Sequence, residues 1–120
     1  MFDREAANLF AADWIDAWNS HDLERILGHY SDDFEMCSPL IVERMGIEAG
    51  MLKGKGAVRD YWKIGLDVGN LRFELKDVLI GAAGLTLFYT NHRGQTVAET
   101  LIFGTDGKIE SGNAHYRNDD

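Results

Sequence analysis

The sequence predicts an α+β fold, with three helices in the first half, a mainly antiparallel sheet in the second, and the helices covering one face of that sheet. Three observations carry this. Apolar residues recur at three- and four-residue intervals in residues 4–30 and again in 55–66, but alternate singly from residue 71 onward. The breaks between the later segments are short and turn-like, so consecutive strands have to be antiparallel neighbours. A chain of 120 residues with 45% hydrophobic side chains buries one sizeable core and not two, so residues 1–120 read as a single domain.

Ala7, Phe10, Trp14, Ala17 and Trp18 form the apolar stripe of a helix over residues 4–18. Asn19 and Ser20 break that pattern, and Ser20 is the expected N-cap of a second helix, with Asp22 and Glu24 near its positive end. Leu23, Ile26, Leu27 and Tyr30 would be its buried face, and Asp32-Asp33 a solvated turn that closes it. A short strand follows around Phe34 to Ser38. Residues 39–55 read as irregular, yet they carry Ile41, Val42, Met45, Ile47, Met51 and Leu52. So apolar a loop is expected to lie over an opening in the core as a flap or rim.

Gly54-Lys55-Gly56 leads into the third helix, with Val58, Tyr61, Trp62 and Leu66 on one face. It lacks the remaining glycines and the Lys-Ser/Thr ending of a phosphate loop. Residues 71–80, 84–91, 96–103 and 108–116 read as strands, rich in β-branched and aromatic residues. Gly81 to Gly84, His92-Arg93-Gly94 and Asp106-Gly107 separate them.

Twenty acidic against twelve basic side chains give a net charge of -8, which repels phosphate backbones and anionic headgroups and argues against nucleic-acid or membrane partners. Cys37 is the only cysteine, so no intrachain disulfide forms and a reducing cytoplasm is the expected setting. The Met1-Phe2-Asp3-Arg4-Glu5 start does not read as a signal peptide, and no run of about 18 apolar residues is present. A soluble, unprocessed chain is expected.

The joint Ala17-Trp18-Asn19-Ser20-His21-Asp22-Leu23, the run Tyr30-Ser31-Asp32-Asp33-Phe34 and the helix start Gly54 to Trp62 together resemble the nuclear transport factor 2-like superfamily, which includes ketosteroid isomerases and SnoaL-like polyketide cyclases. The element order matches over essentially the whole chain. The resemblance implies a cone in which a strongly curved sheet wraps three helices around a deep, mostly apolar pocket, and a homodimer formed through the sheet. Ketosteroid isomerases place a tyrosine in helix one, a base aspartate at the end of the first strand and a protonated aspartate on a later strand. The matching positions here are Trp14, Ser38 and Glu99. Trp14 has no phenol and Ser38 is no carboxylate base, so the resemblance does not extend to steroid isomerisation by that mechanism.

Glu99 is the lead site residue, because Val97, Leu101 and Phe103 on its own strand face are all apolar. A carboxyl there has a raised pKa and can polarise a carbonyl or shuttle a proton. The alternative is an edge or interface position where it pairs with an ordinary donor. A three-residue turn with Gly94 left-handed sets Asn91 opposite Gln95 and Tyr89 opposite Val97, placing Leu85, Leu87 and Tyr89 on the Glu99 face, whereas a two-residue Arg93-Gly94 turn would put Phe88 there; Gly94 in third position and the more apolar set favour the first. Tyr89 is then a candidate donor to substrate or to Glu99.

At Asp106-Gly107 two registers stay open. A two-residue turn brings Ala114 and Tyr116 to that face, and a bulged turn brings Asn113 and His115. The resemblance favours the first and the placement of Ile109 the second. His115, the one histidine well inside a strand, is a candidate proton carrier if it reaches the pocket. His21, His29 and His92 show no ligand spacing, so no metal or other cofactor is implied. Cys37 reads as a small buried hydrophobe, and most of the helix-face aromatics as core, with Trp14 and Tyr61 bordering the cavity.

Two functions follow. One is a cofactor-free lyase, isomerase or cyclase acting on a small apolar carbonyl compound, with Glu99 and His115 as catalytic residues and Tyr89, Trp14, Tyr61 and Tyr116 contacting substrate. The other is a non-catalytic domain that binds a hydrophobic ligand or dimerises.

Overall fold

The computed structural model describes residues 1–117. Its helices are α1 (Arg4–Asn19), α2 (Leu23–Leu27), α3 (Pro39–Met45) and α4 (Lys55–Asp67). Its strands are β1 (Tyr30–Cys37), β2 (Met51–Lys53), β3 (Glu74–Ile80), β4 (Gly84–Thr90), β5 (Thr96–Phe103) and β6 (Ile109–Tyr116). The strands form one sheet in the order β2-β1-β6-β5-β4-β3. All pairs are antiparallel except β1 with β6, where the first strand joins the last. Among the described residues no helix is long and apolar enough to cross a membrane.

The helix stripes are buried as their spacing requires. Asp3 caps α1 by accepting the Ala6 N–H at 2.8 Å, and Ala7, Ala11, Trp14, Ala17 and Trp18 are covered by the sheet and the other helices. Each large side chain buried in this way contributes about 2–3 kcal/mol. The joint after α1 has a defined task. Asn19 clamps the backbone of Phe73, its Nδ2 donating to the carbonyl at 2.9 Å and its Oδ1 accepting the N–H at 2.7 Å. His21, with φ 60, brings its ring nitrogen within 2.7 Å of the Leu71 carbonyl. Residues 71–73 are thereby tied to the end of α1, and Leu71 and Phe73 line the cavity described below.

The sheet is curved and does not close. Register shifts between Tyr30 and Glu35, Leu75 and Asp77, and Ile102 and Phe103 mark irregularities that bend β1, β3 and the β5–β6 pair. Gly84 permits a close approach on the same sheet, since a Cβ there would lie 1.8 Å from the Leu101 carbonyl oxygen.

Four local expectations are corrected. Ser20 closes α1 rather than opening α2, donating to the Ala17 carbonyl at 2.6 Å, and Asp22 is the cap that accepts from the Arg25 N–H. Tyr30 begins β1 rather than ending a helix, and Asp32-Asp33 are exposed strand residues, because α2 stops at Leu27. Residues 39–55 are irregular only at 46–50 and at Gly54: Ser38 caps α3, Pro39 occupies its first turn where a missing N–H costs nothing, and Gly46 at φ 67 ends it. A return strand, β2, then pairs with β1. The described residues therefore form four helices, and α3 stands at the cavity where a flap was expected.

Candidate active site

A cavity of about 640 Å³ lies between the concave face of the sheet and helices α3 and α4. Trp18, Trp62 and Phe73 give it aromatic walls, and Leu40, Ile64, Val68 and Leu71 aliphatic ones. Polar side chains line it in addition: Glu99 with Tyr89, Ser38 with Tyr61 and Tyr116, and the amides Asn70, Asn91 and Gln95. At its mouth stand Arg44 from α3 and His92 and Arg93 from the β4–β5 turn.

Glu99 is only 4% exposed. Leu87 and Ala114 are its cross-strand partners, and Val97 and Leu101 flank it along β5, so every immediate sheet neighbour on its face is apolar. The Tyr89 hydroxyl donates to Glu99 Oε1 at 2.8 Å. Burial pushes the carboxyl up to about 7, and the Tyr89 hydrogen bond pulls it the other way. Glu99 is thus close to half protonated at neutral pH, the condition under which one group both takes and gives a proton.

The neighbouring phenols do not titrate in that range. Burial, and then the Glu99 charge, hold Tyr89 well above the usual tyrosine value, and the same two causes act on Tyr30. Tyr30 lies below the cavity lining, where its hydroxyl accepts the Trp14 indole N–H at 3.0 Å. The Trp18 indole approaches the same hydroxyl without a well-formed hydrogen bond. Burial also raises Tyr61 and Tyr116, with Arg44 and Ser38 acting against it in both.

The β4–β5 register is the one the left-handed Gly94 requires, with Tyr89 opposite Val97 and the Asn91 N–H donating to the Gln95 carbonyl at 3.0 Å. In the last hairpin Glu99 pairs with Ala114 and Val97 with Tyr116. The conflict over Ile109 dissolves at a bulge. Phe103 pairs with Ile109 but Ile102 with Ser111, so Glu110 is an extra residue, and both Ile109 and Ala114 turn inward.

The structure thus brings Glu99, Tyr89, Tyr61 and Tyr116 together around one cavity. Two expected site residues are elsewhere. His115 pairs with Ala98 on the convex face and is exposed, since β6 alternates and Ala114 and Tyr116 take the inward positions. Trp14 is fully buried beneath the cavity, where its indole serves Tyr30 instead of a ligand. Cys37 is also absent from the lining, on the opposite side of β1 from Met36. Ser38 lines the cavity, but its hydroxyl already accepts the Leu40 N–H as the cap of α3. Sequence reasoning missed Arg44 and the Tyr30 hydroxyl. Ser38-Pro39 was the available signal for a helix that carries Arg44 to the mouth. Among the described residues no group of His, Cys, Asp and Glu is gathered so as to hold a metal ion.

A curved, unclosed sheet wrapped around helices, with an acid-bearing cavity on its concave side, defines a nuclear transport factor 2-like protein. Within that class the chain belongs to the SnoaL-like domain family, whose model matches residues 11–114. A SnoaL-like protein of unknown function from Burkholderia thailandensis is 39% identical, with 97% of this chain and 98% of that one covered and a TM-score of 0.94. The fold is shared with SalBIII, described as an epoxide hydrolase/cyclase-like enzyme in pyran ring formation in salinomycin, at 14% identity, TM-score 0.78 and 100% and 97% coverage. It is shared as well with an NTF2-like protein of unknown function from Cytophaga hutchinsonii, at 11% identity, TM-score 0.69 and 98% and 95% coverage. Among curated proteins no match was found.

Proposed function

We propose that the protein is an acid/base enzyme, acting without a cofactor as an isomerase, lyase or cyclase on a small carbonyl compound with an apolar body. The observation that carries this reading is Glu99: buried, bonded by the Tyr89 hydroxyl at 2.8 Å, lining the cavity, and with a pKa of about 7. In its ionised form the carboxylate takes a proton from the carbon next to the carbonyl, and the C–H electron pair moves into an enolate. In its protonated form it returns that proton to carbon, or to oxygen after the enolate carbon has closed onto an electrophilic centre. Tyr61 and Tyr116, kept as neutral phenols by burial, supply donors that orient the carbonyl. The SalBIII likeness, a shared fold at low identity, is compatible with ring closure.

Two further features belong to the reading. Across the centre of β4, β5 and β6 the convex face presents Thr86, Phe88, Ala98, Thr100, Asn113 and His115, with no Asp, Glu, Lys or Arg among them. In a chain with 27% charged residues, such a face suits a second copy of this chain, and Ala98→Arg should convert a dimer to a monomer in light scattering. A cytoplasmic setting belongs to the same proposal and is supported by Cys37 being the lone cysteine, with no intrachain disulfide partner.

The enzyme reading is tested by α-proton exchange of 2-tetralone in D2O, followed by NMR. Wild-type protein should accelerate deuteration with a midpoint near pH 7, and Glu99→Gln should lower the rate by about 100-fold or more. Equal rates in the two proteins would remove Glu99 from catalysis and leave the cavity as a binding site for hydrophobic ligands. The cap role of Ser38 at the isomerase base position is the observation that favours this second reading.

A further inference from the structure

We propose that the ligand of this cavity is an amphipathic anion, a ring-bearing apolar body carrying one negatively charged oxygen group that Arg44 and Arg93 hold at the mouth. This deepens the proposed function and rests on the same cavity. Arg44 and Arg93 come from separate elements, α3 and the β4–β5 turn, and line the same opening. Neither has a carboxylate partner among the described residues, whereas Arg25 is paired with Asp13 and Asp16, and Arg59 with Glu24.

The arrangement runs against the composition. In a chain with twenty acidic and twelve basic side chains, the lining holds two arginines and a histidine against a single carboxyl, Glu99. Burial and then the charges of Arg93 and Arg44 push His92 below the usual histidine value, so positive charge is already crowded there. An anion relieves that repulsion, and a guanidinium fork matches a planar oxygen group.

The rest of the cavity fits the other part of such a molecule. Trp18, Trp62 and Phe73 offer ring faces, and Gly65 keeps the α4 wall bare beside the arginine, where a Cβ would lie 3.6 Å from Arg44 Nη1. Solvation sorts the two ends of the ligand: the charged group stays with the exposed arginines and the ring reaches toward the buried Glu99.

Calorimetric titration of 2-naphthylacetate and of its neutral isostere 2-naphthylacetamide tests this, at about pH 6 and in about 50 mM salt to limit screening. Wild-type protein should bind the carboxylate about tenfold more tightly than the amide. Arg44→Gln/Arg93→Gln, two exposed replacements checked for folding by circular dichroism, should bring the preference to about twofold or less, and Arg44→Lys/Arg93→Lys should keep part of it. Amide binding with no carboxylate preference in the wild type, or a preference unchanged in the double glutamine variant, overturns the anion and leaves the cavity reading standing. Failure of both compounds to bind overturns the two together.

Discussion

The two ends of the cavity treat charge in opposite ways. At the inner end Glu99 is shut away among Leu87, Val97, Leu101 and Ala114, with one phenol for company. At the mouth Arg44, His92 and Arg93 are exposed and crowd together, with no ion pair to a carboxylate among the described residues. The inner acid escapes its desolvation by holding its proton up to about pH 7. The mouth arginines are exposed, so water solvates their guanidinium groups. Acid/base chemistry therefore belongs to the desolvated end, and recognition of charge to the hydrated one.

The largest expected break in that contrast is the loss of α-proton exchange in Glu99→Gln, about 100-fold or more, against an unchanged rate in His115→Ala on the convex face. If the two variants behave alike in the 2-tetralone assay, the concave and convex faces do not differ in function.

The next effect is on stability. The Glu99 pKa is higher in the folded chain, about 7, than its ordinary value of 4.5, so folding favours the protonated form. Its contribution is complete below about pH 4.5, declines as pH rises and is lost above pH 7. At 1.36 kcal/mol per pKa unit the decline amounts to roughly 3 kcal/mol. Urea unfolding from pH 4.5 to 8 should show this decline in wild type and a correspondingly flatter profile in Glu99→Gln. Parallel profiles would mean that Glu99 has an ordinary pKa.

Tyr89→Phe sharpens the same end. It removes the donor to Glu99 Oε1 that opposes burial, so the midpoint of the exchange–pH profile should move upward by about half a unit to one unit. A midpoint that stays or falls would show that Tyr89 does not set the acidity. The smallest effect belongs to the mouth, where Arg44→Gln should leave thermal stability within a degree or two, about what exposed charges change. A large loss would make Arg44 a structural residue rather than a ligand contact.

Much of this was legible in residue spacing. The stripe from Ala7 to Trp18, the α4 face from Val58 to Leu66 and four strands read correctly, because burial on one side of a helix or strand leaves a period in the sequence. Glu99 stood out as an acid on an apolar strand face, and Tyr89 followed from the turn that a left-handed Gly94 favours. α3 did not stand out, because Pro39 looks like a breaker until Ser38 is seen to cap the helix that it begins. His115 was indistinguishable from a pocket residue, since a strand shows alternation but not which side faces the core.

The sequence by itself determined the α+β class, the faces of the long elements and the presence of an acid among apolar neighbours, all of which depend on contacts a few residues apart. Only the tertiary structure decided the β6 register. An extra residue at Glu110 lets Ile109 and Ala114 both turn inward, and that sends His115 outward and Tyr116 to the cavity. It also assembled the cavity from residues as distant as Ser38, Tyr61 and Glu99. The reason is physical. Local spacing fixes which side chains share a face, but which faces meet, and how far a carboxyl is removed from water, depends on packing across the whole chain.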